Sequence, residues 1–324
     1  MKNSNNAIAD RQVVGLTKIA ASCRNESLYE LRQGEIRVQC LDFWNIPDES
    51  RKKPLLENPR DAFIRIAGAH DNGYICDRET ELSSSQNMEE YFRSLYDWRG
   101  VVLGVGREGS LTERSFILGL GRCRVFILDL GSQVWKRVDD QIRFELSPNT
   151  LLYAEIVKEI RGEGKSQRRV TSVQVIDAMF LGGEDISNMH FVERHAQLRM
   201  FLHTMNKNSR SDYIKLRLKT VYKLEDLKPL FEKCDLKMVK GGGGSPRLVY
   251  EVGELEADGL SRYYQPTGVI FYRTVREPFM MALSKSALRK YWFNTITKQS
   301  VFELPPESVA RFSESHRSKI LWYW

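Results

Sequence analysis

The stretch that decides the fold is Leu151-Leu152-Tyr153-Ala154-Glu155-Ile156-Val157, followed by Val170-Thr-Ser-Val-Gln-Val-Ile-Asp-Ala-Met-Phe-Leu181. Both runs are short, rich in β-branched residues and alternating, which predicts strands. Residues 161–169 (RGEGKSQRR) between them read as a hairpin turn. Similar runs lie on either side: GVVLGV at 100–105, SFILGL at 115–120, RVFILDL at 124–130, IKLRLKTVYKL at 214–224 and TGVIFYRTV at 267–275. GRCR, between the second and third of these, reads as a tight hairpin. Helical patterns interrupt them at 89–97, 191–205 and 224–234. Strands mixed with helices, without regular strand–helix alternation, predict an antiparallel-rich α+β domain.

The chain has 324 residues, 49 Lys+Arg against 42 Asp+Glu and a net charge of +7. That length allows one large or two modest domains. The mild basic excess suits an acidic partner such as RNA, DNA or a phosphopeptide. No apolar run approaches the roughly 20 residues that span a bilayer, and the first residues lack a signal-peptide pattern. A secreted or membrane protein is therefore not expected. Cys23, Cys40, Cys76, Cys123 and Cys234 are scattered, with no C-x-x-C pair, so neither a disulfide framework nor a zinc site is expected. His190 and His195 lie five apart, which does not align them on one helix face as metal ligands.

Residues 1–47 read as a helical appendage, 48–60 as a charged, proline-containing linker, 61–275 as the main domain, 276–306 as a small module and 307–324 as a C-terminal strand or tail. Trp322 and Trp324, around Tyr323, read as a final strand closing a core. Gly241–Ser245 is a flexible loop by composition, compatible with a natural loop or an engineered linker. From 158 to 219 there are 12 basic and 7 acidic residues, and no acid occurs between 284 and 300, where Lys285, Arg289, Lys290 and Lys298 fall.

The small module resembles a WW domain. Phe279, Tyr291, Trp292, Asn294, Phe302 and Pro305 stand at that family's spacing, although Phe279 and Phe302 replace its two signature tryptophans. Two readings stay open: a polyproline-binding module and a structural hairpin packed on the main domain.

The strands before that module resemble the nucleotidyltransferase superfamily of mRNA guanylyltransferases and ligases. Leu152–Val157 matches its acidic strand through Glu155. Ile176–Gly183 matches its Asp-Ala motif through Asp177, with Arg194 at the downstream Arg. Thr267–Phe271 matches a later motif through Gly268, with Thr in place of Glu. The family's Lys-x-Asp-Gly nucleophile has no counterpart. Residues 54–135, 82 positions where it belongs, contain no lysine, and arginine stays protonated and non-nucleophilic. The resemblance thus implies a degenerate, guanylyltransferase-like fold.

EIRVQCLDFWNIPDESR, YAEIVKEIRGEGKSQRR, IDAMFLGGEDI and the terminal LWYW further resemble the C-terminal half of the metazoan mRNA cap 2′-O-ribose methyltransferases that make cap 1. This resemblance implies that 1–47 is the tail of an upstream methyltransferase domain. It also implies that the S-adenosylmethionine site lies outside the chain, that this region holds no cofactor or metal, and that the protein is nuclear and serves capping. The expected partner is the C-terminal repeat domain of RNA polymerase II, phosphorylated on the second serine (fifth residue) of its heptad. Such a reader needs cations for phosphate and an apolar groove for Tyr and Pro. The candidates are Arg137, Arg143, Lys165, Arg168, Arg169 and Arg194, with Tyr153 and Ile186 for the groove. Alternative readings are an RNA- or cap-binding platform, predicting a steep salt dependence, and a purely structural domain. Tyr263 and Tyr264, beside Arg262, read as base-stacking residues or, with better support, buried strand aromatics.

Overall fold

A computed structural model describes residues 80–82, 92, 94–106, 114–121, 124–129, 134–138, 142–206, 213–240, 244–253 and 260–323. The expected appendage (1–47) and linker (48–60) lie outside these residues. In chain order the first strands are β1 (Thr80–Leu82), β2 (Trp98–Gly104), β3 (Ser115–Gly119), β4 (Val125–Asp129) and β5 (Val134–Arg137). The long hairpin follows, β6 (Thr150–Arg161) and β7 (Arg168–Leu181), then β8 (Glu184–Asp185) and helix α1 (Phe191–Met205). Next come β9 (Leu216–Leu218), β10 (Val221–Lys223), α2 (Lys228–Phe231), β11 (Cys234–Met238), β12 (Pro246–Glu251), β13 (Arg262–Tyr264) and β14 (Pro266–Arg273). The small module holds β15 (Phe279–Ser284), β16 (Arg289–Asn294) and β17 (Ser300–Val301), and the chain returns through α3 (Phe312–Arg317) to β18 (Ile320–Tyr323).

These elements form three sheets. One has five strands in the order β1-β18-β14-β2-β10, one has ten centred on β6–β7, and β15-β16-β17 make the third. Pairing is antiparallel except for β1 with β18 and β7 with β9. The period-two pattern of the deciding stretch explains the layering. Leu152 and Ala154 join Ile117, Val173 and Val175 beneath Leu198, Phe201, Leu202 and Met205 of α1. Leu151 and Tyr153 point the other way, meeting Val101, Leu103, Ile270, Tyr272 and Leu321 of the five-stranded sheet. The ten-stranded sheet is thus the middle layer, covered on one face by α1 and on the other by the second sheet.

The structure corrects several expectations. Residues 214–224 are not one strand: β9 continues beside β7, whereas β10 crosses to β2 in the other sheet. The helix expected over 89–97 is, among its described residues, a 3-10 turn at Leu95–Asp97 capped by Ser94. The helix expected over 224–234 shrinks to Lys228–Phe231, and Cys234 already opens β11. The final strand expected around Trp322 and Tyr323 is present as β18. Phe312 and Leu321 are fully buried in the inter-sheet core, and β18 lies between β1 and β14.

The three-stranded sheet is clamped to the main domain rather than tethered. Asp97 accepts the Met281 N–H at 2.6 Å, Ser94 Oγ donates to the Met281 carbonyl, and Lys290 pairs with Glu225. Burial pushes the Asp97 carboxyl up to about 6, against the pull of the Met281 N–H and Arg273. No helix among the described residues is long and apolar enough to cross a membrane.

Candidate functional site

The long hairpin carries charge at both of its ends and along one face. Toward the open end, Asp177 sits where β7 holds an extra residue: Tyr153 pairs with Asp177 but Ala154 pairs with Val175, leaving Ile176 as a bulge. Counting by twos from Val173 and Val175 would aim residue 177 at α1. The bulge turns it to the inter-sheet side with Tyr153. There its carboxylate accepts Arg194 Nε at 2.9 Å and Nη2 at 2.7 Å, the Ala178 N–H at 2.8 Å, and lies 3.2 Å from His316 Nε2. Arg194 also donates to the Met189 carbonyl at 2.7 Å and lies between the Phe191 and Phe312 rings.

Burial disfavours a charged Asp177, but Arg194 and His316 outweigh it and hold the carboxyl below the usual range. Burial also lowers His316 to about 4, only partly opposed by Asp177, so this imidazole is neutral at pH 7. The arginine expected to meet phosphate is therefore sealed into an internal bidentate pair.

Along the hairpin's inter-sheet face, Glu155 and Glu159 are buried two residues either side of Val157. Glu155 accepts the Gly104 N–H at 3.0 Å and pairs with Lys219. Gly104 is needed for this approach, since a Cβ there would lie 2.8 Å from both Tyr264 and Val157. Lys219 Nζ also donates to the Val102 carbonyl at 2.7 Å and to Tyr264 Oη at 3.1 Å. Its burial lowers the ammonium's pKa, an effect Glu155 opposes. Glu159 meets Arg217 at 3.1 Å and Gln174, with Arg262 at 3.6 Å. Lys219 thus brings a cation against β2, within the segment 54–135 that contains no lysine of its own. Two acids at i, i+4 in one apolar strand and two bases at i, i+2 in another were the legible signal for this ladder.

Beyond it opens a pocket of ≈ 270 Å³ whose charged lining, among the described residues, is Arg199, Arg217, Lys219 and Lys233, with no carboxylate among them. Tyr250, Tyr264 and Gln174 are among its uncharged walls.

At the closed end, the β6–β7 turn projects. Gly162 (φ +76) and Gly164 (φ +54) adopt the left-handed backbone this turn requires. Lys165, Arg168 and Arg169 are exposed on it. The tip leans on the end of β11: Gln167 Nε2 donates to the Met238 carbonyl at 3.2 Å, and Gln167 Oε1 accepts the Lys240 N–H at 2.6 Å.

The expected peptide-binding set is therefore not one cluster. Lys165, Arg168 and Arg169 are together. Arg137, on β5, and Arg143, whose carbonyl accepts the Ile214 N–H, are exposed at other places on the sheet. Arg194, Tyr153 and Ile186 are corrected to interior positions, at 0%, 4% and 0% exposure, because they fill the core that joins the layers. Tyr263 and Tyr264 are likewise buried and offer no face for bases. Gly268 lies at the β14 irregularity opposite Leu103. His190 caps α1, and His195 contacts the Ile176 carbonyl. Among the described residues no group of three or more His, Cys, Asp or Glu is placed to hold a metal.

In the small sheet, Phe279 stands opposite Asn294, and Asn294 Oδ1 accepts the N–H groups of Ile296 and Thr297, fixing the β16–β17 turn. Tyr291 and Phe302 are 6.1 Å apart, Arg289 lies 5.3 Å from the Phe302 ring, and Trp292 pairs with both Met281 and Val301. The Pro305 carbonyl accepts Ser308 N–H and Oγ–H.

Fold and site together define a two-sheet α+β scaffold with an internally neutralised charge ladder, a cationic pocket and an inserted three-stranded sheet. Along its whole length the chain is homologous to the C-terminal 37% of cap-specific mRNA (nucleoside-2'-O-)-methyltransferase 1. It is 36% identical over 325 residues to the Danio rerio protein and 34% identical to the Homo sapiens protein, in each case covering 100% of this chain and 37% of the relative. The Drosophila melanogaster protein is 28% identical over 334 residues, covering 99% of this chain and 41% of the relative. The chain thus spans well under half the length of the curated relatives it matches. No family model matches the sequence. Among solved structures, mycobacterial DNA ligase D complexed with ATP and MES aligns with 72% of this chain and 98% of that chain. Its 10% identity and TM-score of 0.28 are too low to assign a fold.

Proposed function

We infer that this chain serves mRNA cap 2′-O-ribose methylation as a non-catalytic recruitment module with a degenerate guanylyltransferase-like fold and a WW-like sheet. It binds the RNA polymerase II C-terminal domain, phosphorylated at the fifth residue of the heptad. The homology supports the pathway. One observation carries the role. The acids at the nucleotidyltransferase-like positions, Glu155 and Asp177, are consumed by Lys219 and Arg194, while Lys165, Arg168 and Arg169 stand exposed on a projecting turn. Charge spent inside supports structure, and charge left outside is available to phosphate.

Titration with labelled two-repeat peptides tests the reading. Phosphorylated peptide should bind at least tenfold tighter than unphosphorylated peptide. Equal binding of the two, or none, overturns it. Incubation with labelled GTP and magnesium should leave no covalent label; a labelled band overturns the non-catalytic half. Short capped RNA that binds with a steep salt slope while the phosphopeptide does not would favour the RNA-platform reading.

A further inference from the structure

The cationic pocket and the projecting turn lie at opposite ends of one strand. Lys233, which lines the pocket, immediately precedes β11. At the other end, Met238 and Lys240 hold Gln167, and the Lys240 carbonyl accepts Arg169 Nη2 at 3.4 Å. From Lys233 to Lys240 is seven residue steps, roughly 23 Å at the rise of a strand. An extended heptad covers about 23–25 Å.

Among the described residues the strand between these ends is an edge, paired only with β12. Glu251 N–H donates to the Lys233 carbonyl, so by antiparallel alternation the backbone groups of Leu236 and Met238 face outward. Leu236 (67% exposed) and Met238 (57%) lie on one face. Through the pairs Cys234–Tyr250, Leu236–Leu248 and Met238–Pro246, that face is shared by Tyr250, itself a pocket wall. An exposed apolar strip therefore joins two cationic sites. In the pocket, Glu155 and Glu159 neutralise Lys219 and Arg217 from behind, so that among the described lining residues Arg199 and Lys233 are in excess.

We propose that β11 measures one heptad: an extended peptide lies along it, one phosphate enters the Arg199–Lys233 pocket, and a second, seven residues away, meets Arg168 and Arg169. The peptide's apolar side chains rest on Leu236 and Met238. This rests on the phosphopeptide reading above and deepens it, because it requires two phosphates at a fixed separation.

The test uses the full chain and three two-repeat peptides: one phosphate, two phosphates seven residues apart, and two phosphates four residues apart. The seven-residue peptide should bind at least tenfold tighter than either of the others. Arg199→Glu with Lys233→Glu should reduce it to the singly phosphorylated level, as should Arg168→Glu with Arg169→Glu, and Leu236→Ser should weaken all three. All these side chains except Lys233 are exposed, and thermal unfolding checks that each variant is folded. If one phosphate improves binding but a second adds nothing, or spacing does not matter, the measuring role is overturned while the recruitment reading stands. If phosphate has no effect at all, both fall.

Discussion

At one end of β7, Arg168 and Arg169 are exposed to water; at the other, Asp177 and its partner Arg194 have no exposure at all. Arg194 reaches the strand from α1 with the same guanidinium, yet its chemistry is the opposite. An interior guanidinium must be neutralised by a carboxylate in good geometry, and once neutralised it holds layers together. An exterior one stays hydrated and can exchange its contacts for an incoming anion. Arginine count along a segment therefore says nothing about binding until burial divides it.

The sharpest way to break this contrast is Asp177→Asn. Removing the charge strands Arg194 and His316 in the core, and the expected loss is about 3–5 kcal/mol, read as a lower urea midpoint. If Arg168→Ala costs as much, the division between inside and outside is wrong. Glu155→Gln comes next, at about 2–3 kcal/mol, because Lys219 keeps the Val102 carbonyl and Tyr264 as partners.

Acid should act on the interior alone. Burial lowers His195 and His316 from 6.5 to about 4, so the unfolded chain binds more protons than the folded one between those values. Their contribution is complete above pH 6.5 and is lost as pH falls toward 4. Asp97, raised to about 6, has the opposite sign: protonation relieves its burial penalty as pH falls through 6. With His190, which burial also lowers to about 4, the net expectation from pH 7 to pH 5 is a loss of about 4 kcal/mol in urea titrations. No change would mean that these imidazoles are not sealed.

Smaller still is Lys290→Ala, at about 1 kcal/mol or less, since its pair with Glu225 is partly exposed. Its clearer readout is faster proteolysis within 279–301. At the bottom of the scale, Lys165→Ala should move stability by no more than about 0.5 kcal/mol, while weakening phosphopeptide binding several-fold.

The strands of the deciding hairpin were legible as apolar, β-branched runs, the pattern a strand takes when both of its faces are covered. α1 was legible for a related reason: fifteen residues of helical spacing exceed what a strand would use. The split at Lys219-Thr220 was not, because no apolar pattern marks where a chain leaves one sheet for another. Asp177 could be picked out as a motif residue, but its destination could not. A single inserted residue at Ile176 reverses which way it points, and bulges leave no mark in composition. Tyr153 and Ile186 were assigned to a surface groove for the same reason. An apolar strand side chain can face either a core or a ligand, and only the covering layer decides. The pocket escaped notice because Arg199, Arg217 and Lys233 come from a helix, a strand and a turn that nothing in their spacing connects.

The pairing of β14 with β2 sets Ile270 against Val101 and Phe271 against Gly100. A polypeptide must close a loop of well over a hundred residues before those hydrogen bonds form, and loop-closure entropy is lost before the contacts repay it. The five-stranded layer should therefore consolidate after the β6–β7 hairpin, whose partners are near neighbours along the chain. During that interval the inward face of the hairpin, with its row of acids, is wet and accessible. Hydrogen exchange during refolding would show amides of 151–161 protected before those of 98–104, a delay that fixes when the interior charges lose their water.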